Sequence, residues 1–484
     1  MRRKRIGYIN DARHYYLFAF EPPMDLRDAW RPVDDVAGTN VDTLIYMVER
    51  GDGLFYPSKV GRRFGEDLQP FDMTAYYRAW HNMQSLIDRG LDPLTVLIER
   101  AHDKDMEFIA SLRMTSYLGL DASLKVPDGR GLAHEEVRDH QFAVLRELAC
   151  DYPTDGVELD FALASGGGPL PLRAEDVAEY TPVLTDWVRD ISAMVRSRPG
   201  AGGTVGARIY PTEAINTRMG YDVRTWLDEG LVDYVVPMMY IYFNLDADMP
   251  IDWVVEAAHE NDVSVYGMLQ PYVKDEAVGS PERIYPTAAQ MRAAAANLWD
   301  RGVDGLCTWF MRWPLGDTER AILSEIGDAD ALVEADKCYT LNERSKEAQE
   351  LGYEFRLPLV IPQAEADRRY AIPFHIADDV DGAGERIGRI VLRLDVTNLL
   401  SADTLTVNLN GQSLASEPLL RGFEWHVAPY QGQSMEFLLT TVRPRKGANV
   451  LEIALEKRPP NMVGGITIHN VEIQIEYGAY PSRL

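Results

Sequence analysis

Short apolar runs alternate with longer amphipathic stretches from residue 5 to about 327, and this alternation constrains the fold of the 484-residue chain more than any other feature. Such alternation is typical of βα units around a parallel sheet. Eight runs read as strands: RIGYIND (5–11), TLIYMVE (43–49), EFIASLR (107–113), GVELDF (156–161), TVGARIY (204–210), DYVVPMMY (233–240), SVYGMLQ (264–270) and GLCTWF (305–310). Eight units predict an α/β fold, a (β/α)8 TIM barrel over 1–327. A doubly wound open sheet is the alternative, but no GxGxxG follows the first run and no P-loop motif is found.

The pattern changes after about residue 345. Segments such as RIVLRLDVTNL, TLTVNLNGQSL and ITIHNVEIQIEYG alternate apolar and polar residues, and turn dipeptides such as Asn410-Gly411 lie between them. This pattern predicts an all-β sandwich over 351–484. The charged segment 328–350 between the two regions has a helical tendency, and we expect it to be a helical linker.

Charge and cysteine content restrict the partners and the compartment. The formal net charge of -26 at pH 7 would be repelled by nucleic acid and by anionic membranes, so neither is expected as a partner. Cys150, Cys307 and Cys338 lack CxxC spacing, which fits a reducing compartment and excludes a cysteine zinc site. No signal peptide and no run of about 18 apolar residues is found, so we expect a cytoplasmic protein without a membrane span. A homo-oligomer is compatible with the sequence.

The residues that end the eight runs should meet at one mouth of the barrel, where ligands bind. They are acids, arginines, an amide and aromatic rings, and together they form the predicted site: Asp11, His14, Glu49, Arg113, Glu158, Asp160, Arg208, Tyr210, Tyr240, Asp246, Gln270, Trp309 and Arg312. Acids can transfer protons or act as nucleophiles, and flat rings can stack on sugar rings. Arginine and glutamine can hydrogen-bond hydroxyl groups or a carboxylate. This composition is that of a carbohydrate site.

Glu158 and Asp160 lie two positions apart on the fourth strand and therefore share one face of the sheet. Their Cα atoms should be roughly 6.5–7 Å apart, with Glu158 deeper and Asp160 nearer a substrate. Glycosidases place carboxyl groups on both sides of the scissile bond, whereas a same-strand pair lies on one side. We therefore predict that Asp160 participates directly and that Glu158 is its partner. The second catalytic carboxyl stays open among Asp11, Glu49, Asp246 and Asp248.

Three segments, DGVELDF (155–161), GLVDYVVPMMY (230–240) and GVDGLCTWF (302–310), resemble a group of bacterial glycosyl-hydrolase-like barrels that are distantly similar to family 10-like and family 18 glycoside hydrolases. Chitinase-like family 18 enzymes carry D-G-x-D-x-D-x-E on the fourth strand, with the final Glu as proton donor. Asp155 and Gly156 match this motif, and Glu158 and Asp160 occupy its two middle acid positions. Ala162 stands where the final Glu belongs, so the proton donor of that family is missing here.

The resemblance to family 18 and a second comparison, with alpha-galactosidases, imply sugar contacts for Asp160 and two aromatic residues. The resemblance to family 18 gives Tyr240 and Trp309 as counterparts of its sixth-strand tyrosine and eighth-strand tryptophan. Enzymes similar to alpha-galactosidases end the fourth strand in K-x-D, whose Asp is the nucleophile; Asp160 matches that Asp, and Glu158 replaces the lysine. Both comparisons imply that Asp160 contacts a sugar.

The sequence therefore predicts a glycoside hydrolase that acts on an oligo- or polysaccharide with neither a metal ion nor an organic cofactor. A metal-dependent barrel would need clustered histidines, but the nine histidines form no HxH or HExxH motif. The glycine-rich segment 163–170 beside the fourth strand is either a plain loop or a flap over the site. The alternative function is a carbohydrate-binding barrel that has lost catalysis, because Ala162 replaces the family 18 acid.

Overall fold

A computed structural model describes residues 4–11, 16–50, 53–115, 120–121, 124, 131–162, 171–200, 202–240, 244–273, 284–341, 346–353, 356–365, 368–424 and 432–478. Contacts between Cα atoms divide the chain into two compact units. The first comprises Met1–Ile241, Pro250–Pro271 and Gly302–Gly327, and the second comprises Tyr242–Met249, Tyr272–Arg301 and Asp328–Leu484.

Eight parallel strands form a closed barrel in the first unit, which confirms the predicted fold. They are β1 (Arg5–Asp11), β2 (Thr43–Met47), β3 (Glu107–Arg113), β4 (Gly156–Asp160), β5 (Thr204–Ile209), β6 (Tyr234–Pro237), β7 (Ser264–Leu269) and β8 (Gly305–Thr308). Each strand pairs with the next along the chain, and β8 closes the barrel on β1. A short two-stranded ladder, Glu49–Arg50 with Gly53–Leu54, follows β2.

Helices follow most strands, as the βα pattern requires. In chain order they are α1 (Tyr16–Ala19), α2 (Leu26–Asp34), α3 (Thr74–Ile87), α4 (Pro93–Asp103), α5 (Glu135–Cys150), α6 (Val177–Arg196), α7 (Glu213–Arg218), α8 (Val223–Asp228), α9 (Asp252–Glu260), α10 (Ala288–Asp300), α11 (Asp317–Glu325), α12 (Lys346–Glu350) and α13 (Val380–Ala383). None of the helices in the described ranges combines the length and apolar character that a membrane crossing requires.

The amino end of the barrel repeats one hydrogen bond four times. An aspartate directly before each even-numbered strand accepts the backbone N–H of the second residue of the preceding strand: Asp42 from Ile6 at 3.1 Å, Asp155 from Phe108 at 2.8 Å, Asp233 from Val205 at 2.7 Å and Asp304 from Val265 at 3.0 Å. Histidines from the helices before β3 and β7 contact two of these carboxylates. The barrel is thus built from four strand pairs, each fixed at the end opposite the mouth.

The second unit contains two mainly antiparallel sheets, in agreement with the predicted sandwich. One sheet has the order β9 (Lys337–Leu341), β17 (Ile466–Tyr477), β12 (Ile387–Thr397), β15 (Gly432–Leu438) and β14 (Leu419–Glu424), with β10 (Leu359–Ile361) also on β17. The other has β11 (Tyr370–Ile376), β16 (Gly447–Lys457), β13 (Thr404–Leu409) and the two-residue strand Gln412–Ser413. Helix α10 belongs to this unit, and its Ala293 lies in the same apolar core as Tyr339 and Ile376.

The segment 328–350 differs from its predicted helical structure. Residues Lys337–Leu341 form strand β9, which pairs antiparallel with Val471–Ile475 of β17. Among the residues of this segment that the structure describes, the helical ones are the five of α12. The residues of KCYTL are compatible with a strand, and their pairing partners lie 130 to 138 residues away along the chain. The charge pattern within the segment therefore could not predict strand β9, because the pairing partner is distant in the sequence.

Candidate active site

One arginine contacts both acids of the fourth strand. Arg208 donates from Nε to Oε1 of Glu158 at 2.7 Å and from Nη1 to Oδ2 of Asp160 at 3.2 Å. All three side chains are almost completely buried, and Arg208 is the register partner of Asp160 on the neighbouring strand. The guanidinium therefore offsets the repulsion between two carboxylates on one face of β4.

Glu158 is held by side chains from three other strands. Besides Arg208 on β5, it accepts hydrogen bonds from the Ser111 hydroxyl on β3 at 2.9 Å and from the Tyr234 hydroxyl on β6 at 3.1 Å. Its two oxygens are thus both occupied by protein donors. This arrangement suits a residue that positions Arg208.

Gly206 makes the contact between Tyr234 and Glu158 possible. A Cβ atom at position 206 would lie 2.0 Å from Cζ of Tyr234, so the tyrosine ring crosses β5 where a side chain would otherwise stand. The Arg5 guanidinium lies 4.9 Å from the centroid of the same ring. Ser111, Gly206 and Tyr234 were not among the predicted site residues, because they lie one layer below the strand ends.

Asp160 combines burial with two hydrogen bonds. Its Oδ1 accepts the Ala162 N–H at 3.2 Å, and its Oδ2 accepts from Arg208. Burial raises the pKa of Asp160 above its ordinary value; the charges of Arg208 and Arg113 act against this rise, and that of Glu158 adds to it. Asp160 is therefore suited to hold a proton at a pH where an ordinary aspartate has lost it.

A second arginine joins two further acids of the predicted site. Arg113 donates to Oδ2 of Asp11 at 3.4 Å and to the carbonyl oxygen of Glu49 at 3.0 Å, and its Nη1 lies 3.5 Å from the Glu49 carboxylate. Burial alone would lower the pKa of Arg113, but Glu49 and Asp11 raise it above the ordinary arginine value.

The two arginine clusters are neighbours, since both guanidinium groups contact the Met47 sulfur. The distances are 3.9 Å from Nη2 of Arg113 and 3.7 Å from Nη1 of Arg208. The mouth thus contains four buried carboxylates, Asp11, Glu49, Glu158 and Asp160, but only these two guanidinium groups from the predicted set. With all six ionised, they carry an excess of two negative charges.

Aromatic and amide side chains complete the interior at this end. The Trp309 ring lies 4.9 Å from Cζ of Arg208, and the half-buried Tyr240 packs edge-on against it at 5.8 Å between ring centroids. Gln270 donates to the Met239 carbonyl at 3.1 Å, and its buried Oε1 has no hydrogen-bond partner within the described ranges. Tyr210 is completely buried.

Three predicted residues do not join this group in the described structure. Arg312 is exposed. Asp246 belongs to the second unit, where it accepts from the Tyr353 hydroxyl and from the Asp248 N–H. His14 lies outside the described residues, as does the glycine-rich segment 163–170.

The candidates for a second catalytic carboxyl divide between the two units. Asp11 and Glu49 lie in the barrel unit beside Arg113. Asp248 belongs to the second unit and pairs with Arg301 and Arg356. Across the described ranges, no three His, Cys, Asp or Glu side chains are grouped as metal ligands would be.

Comparison with known proteins gives a relative in sequence and likenesses to solved structures. No family model matches the chain. The chain is 25% identical to Glycosyl hydrolase YngK of Bacillus subtilis (strain 168), in a match that covers 48% of this chain and 53% of that protein. The chain thus spans about half the length of this curated relative. The match agrees with a glycosyl-hydrolase-like barrel, but it does not select family 10 or family 18.

Two solved structures illustrate the structural likenesses. The PgaB (BpsB) glycoside hydrolase domain from Bordetella bronchiseptica has a TM-score of 0.44 and 14% identity, covering 67% of this chain and 99% of that one. An alpha-L-fucosidase from Vibrio sp. strain EJY3 has a TM-score of 0.40 and 11% identity, covering 97% and 96%. Because both TM-scores are below 0.5, these likenesses carry no argument about function. The strand pairing alone defines the barrel.

Proposed function

We propose that the protein is a glycoside hydrolase that cleaves an oligo- or polysaccharide at the carboxyl end of the barrel. The observation that carries this proposal is the buried Glu158–Arg208–Asp160 cluster beside a second acid–arginine cluster at the same end. The sequence similarity to a glycosyl hydrolase supports the same class of chemistry.

Asp160 is assigned the proton-transfer step. A general acid must keep its proton at the working pH, and the raised pKa of Asp160, caused first by its burial, meets that need. Glu158 is a positioning residue, because its oxygens are bound by Ser111, Tyr234 and Arg208.

The second carboxyl is assigned to Asp11 or Glu49. Both carboxylates form an ion pair with Arg113. They come from β1 and the segment after β2, whereas Asp160 comes from β4. Carboxyl groups from different strands can flank a glycosidic bond, which a same-strand pair cannot do. Trp309 and Tyr240 supply aromatic surface beside them.

The test is hydrolysis of nitrophenyl glycosides and of plant, algal and bacterial polysaccharides, with released reducing sugar as the readout. We expect turnover by wild type and a fall of at least about a hundredfold in Asp160→Asn. Asp155→Asn, which changes a carboxylate at the opposite end of the barrel, is the matched control and should retain activity. Equal turnover by Asp160→Asn and wild type would contradict the assignment.

A carbohydrate-binding barrel without catalysis is the second candidate. It is favoured by one observation: both acids of β4 are paired with Arg208, as in a purely structural ion-pair cluster. Saturable binding of a saccharide without product formation would support it, whereas hydrolysis of any glycoside would exclude it.

A further inference from the structure

The second unit contains a cavity that is lined by residues of this unit alone. It has a volume of about 380 Å³. It is formed by the end of α10, the segment that leads into β9, helix α13 and the end of β17. The volume lies within the range of roughly 300–1,000 Å³ that is usual for small-molecule sites.

Two aromatic side chains, Trp299 and Tyr477, line this cavity, and both are only half-buried. The Tyr477 hydroxyl donates to Oδ1 of Asp378 at 2.6 Å, and the Lys337 ammonium lies 5.2 Å from the centroid of the Tyr477 ring. The tyrosine ring is therefore held in a fixed position while part of its surface stays accessible.

The support behind Tyr477 is a buried ion pair. Lys337 donates to Oδ1 of Asp378 at 2.9 Å, and the Tyr339 hydroxyl donates to Oδ2 of the same carboxylate at 2.5 Å. Lys337 and Asp378 are both nearly fully buried. Each Asp378 oxygen thus has a donor, and the pair fixes the wall of the cavity without needing a ligand for charge balance.

The charged residues around the cavity indicate which ligands it accepts. Five acids and three bases line it: Asp300, Asp330, Glu334, Asp378 and Asp379, with Lys337, Arg386 and Lys446. Lys446 pairs with Asp300 at 3.0 Å, and Arg386 pairs with Glu334. The excess of carboxylates disfavours anionic ligands, and carboxylates accept hydrogen bonds from hydroxyl groups.

We propose that this cavity is a second saccharide-binding site, which takes one or two rings of a neutral sugar against Trp299 and Tyr477. The aromatic rings of the protein can stack on the apolar faces of a sugar ring, and the carboxylates can accept hydrogen bonds from its hydroxyl groups. The volume of the cavity suits a short saccharide. The choice of a saccharide as ligand rests on the proposed glycoside hydrolase function. The site itself would increase the residence of a polymeric substrate on the protein.

The test is isothermal titration calorimetry of the full chain with cello-, manno-, xylo- and chitohexaose, with an oligogalacturonide as the anionic comparison. All proteins carry Asp160→Asn, so that bound sugar is not consumed. We expect a neutral hexasaccharide to bind, and Trp299→Ala to weaken that binding at the cavity by at least about tenfold. Trp299→Phe keeps a flat ring and should restore most of the binding.

The matched control is Trp30→Ala, which removes a half-buried helix tryptophan of the barrel unit and should leave binding unchanged. Three results would overturn the proposal. They are binding of every neutral sugar by Trp299→Ala as tightly as by the parent, binding of the anionic oligomer alone, and no binding of any sugar. Hydrolysis assays without Asp160→Asn separate the two proposals. Binding that depends on Trp299 in a protein that hydrolyses nothing would refute only the hydrolase function.

Discussion

Replacing Asp160 with asparagine should stabilise the folded protein at neutral pH, even as it removes activity. Burial raises the pKa of Asp160 above its ordinary value, and the favourable charges of Arg208 and Arg113 do not cancel that rise. The folded state therefore prefers the neutral side chain. Asparagine has nearly the same shape and is neutral at every pH, so it removes the cost of burying the charge.

The sign of the effect follows from the two protonation states. A raised pKa contributes stability that is fully present below the unfolded value of 3.8 and is lost as the pH rises through the folded pKa. Each unit of elevation corresponds to about 1.4 kcal/mol at a pH well above both values. The stability gained by Asp160→Asn should therefore be largest near pH 7 and shrink as the pH falls toward 3.8.

One hydrogen bond opposes this gain. Aspartate accepts from Ala162 and Arg208 on separate oxygens, each at 3.2 Å, whereas asparagine has a single oxygen. Losing one such bond costs about 1 kcal/mol. The pKa of Asp160 is raised even though its charged form interacts with both partners, so the cost of burying the charge exceeds what these partners contribute. We therefore expect Asp160→Asn to raise the free energy of unfolding by about 0.5–2 kcal/mol, the usual range for a single stabilising substitution.

The assay is urea denaturation followed by circular dichroism at pH 7 and pH 4.5. The matched control is Asp233→Asn, which changes a half-exposed carboxylate at the opposite end of the barrel. Asp160→Asn should be more stable than wild type at pH 7, and this gain in stability should be smaller at pH 4.5. The control should show no gain at either pH. A loss of stability at pH 7, or a gain that is equal at both pH values, would refute the reasoning.

Two further substitutions test the packing and the charge of other groups. Gly206→Ala should lower the free energy of unfolding by about 1–3 kcal/mol, because its methyl group would displace the Tyr234 ring from Glu158; thermal denaturation measures this, and the loss should be smaller in a Tyr234→Ala background. Burial alone would raise the pKa of Glu417, but hydrogen bonds led by Thr440 lower it from 4.5 to about 2. The resulting stability, roughly 3 kcal/mol, is present above pH 4.5 and lost as the pH falls toward 2. Glu417→Gln should remove it at pH 7 and flatten the acid limb of a denaturation curve; an unchanged acid limb would contradict this origin.

The barrel was predictable because its signal is local. The predicted bounds of the first and third strands, 5–11 and 107–113, match Arg5–Asp11 and Glu107–Arg113. The sixth strand was placed at 233–240, whereas the structure has it from Tyr234 to Pro237. Apolar composition alone continues beyond that residue, so the sequence pattern overestimated the strand.

The partners of the acids were not predictable, because they depend on strand register. Ser111 lies beside Glu158, Glu158 beside Gly206, and Gly206 beside Tyr234 in four successive strands. These residues are separated by about 25 to 50 positions along the chain, and a register shift of one residue would turn each to the other face of the sheet. Gly206 is the one signal in the sequence that could have indicated this arrangement. A glycine inside a strand leaves room for a large side chain from the next strand, here the Tyr234 ring, to reach the acid on the other side.

The two ends of the barrel use carboxylates in opposite ways. At the amino end, Asp42, Asp155, Asp233 and Asp304 each accept a backbone N–H, so these charges hold adjacent strands together. At the mouth, four carboxylates share two guanidinium groups, and burial works against ionisation of Asp160. Burying a carboxylate costs free energy, and the raised pKa of Asp160 reduces that cost by favouring the neutral form. The mouth therefore supplies a group that can hold a proton, as the proposed hydrolysis requires, whereas the four aspartates at the opposite end fix the strands through the backbone.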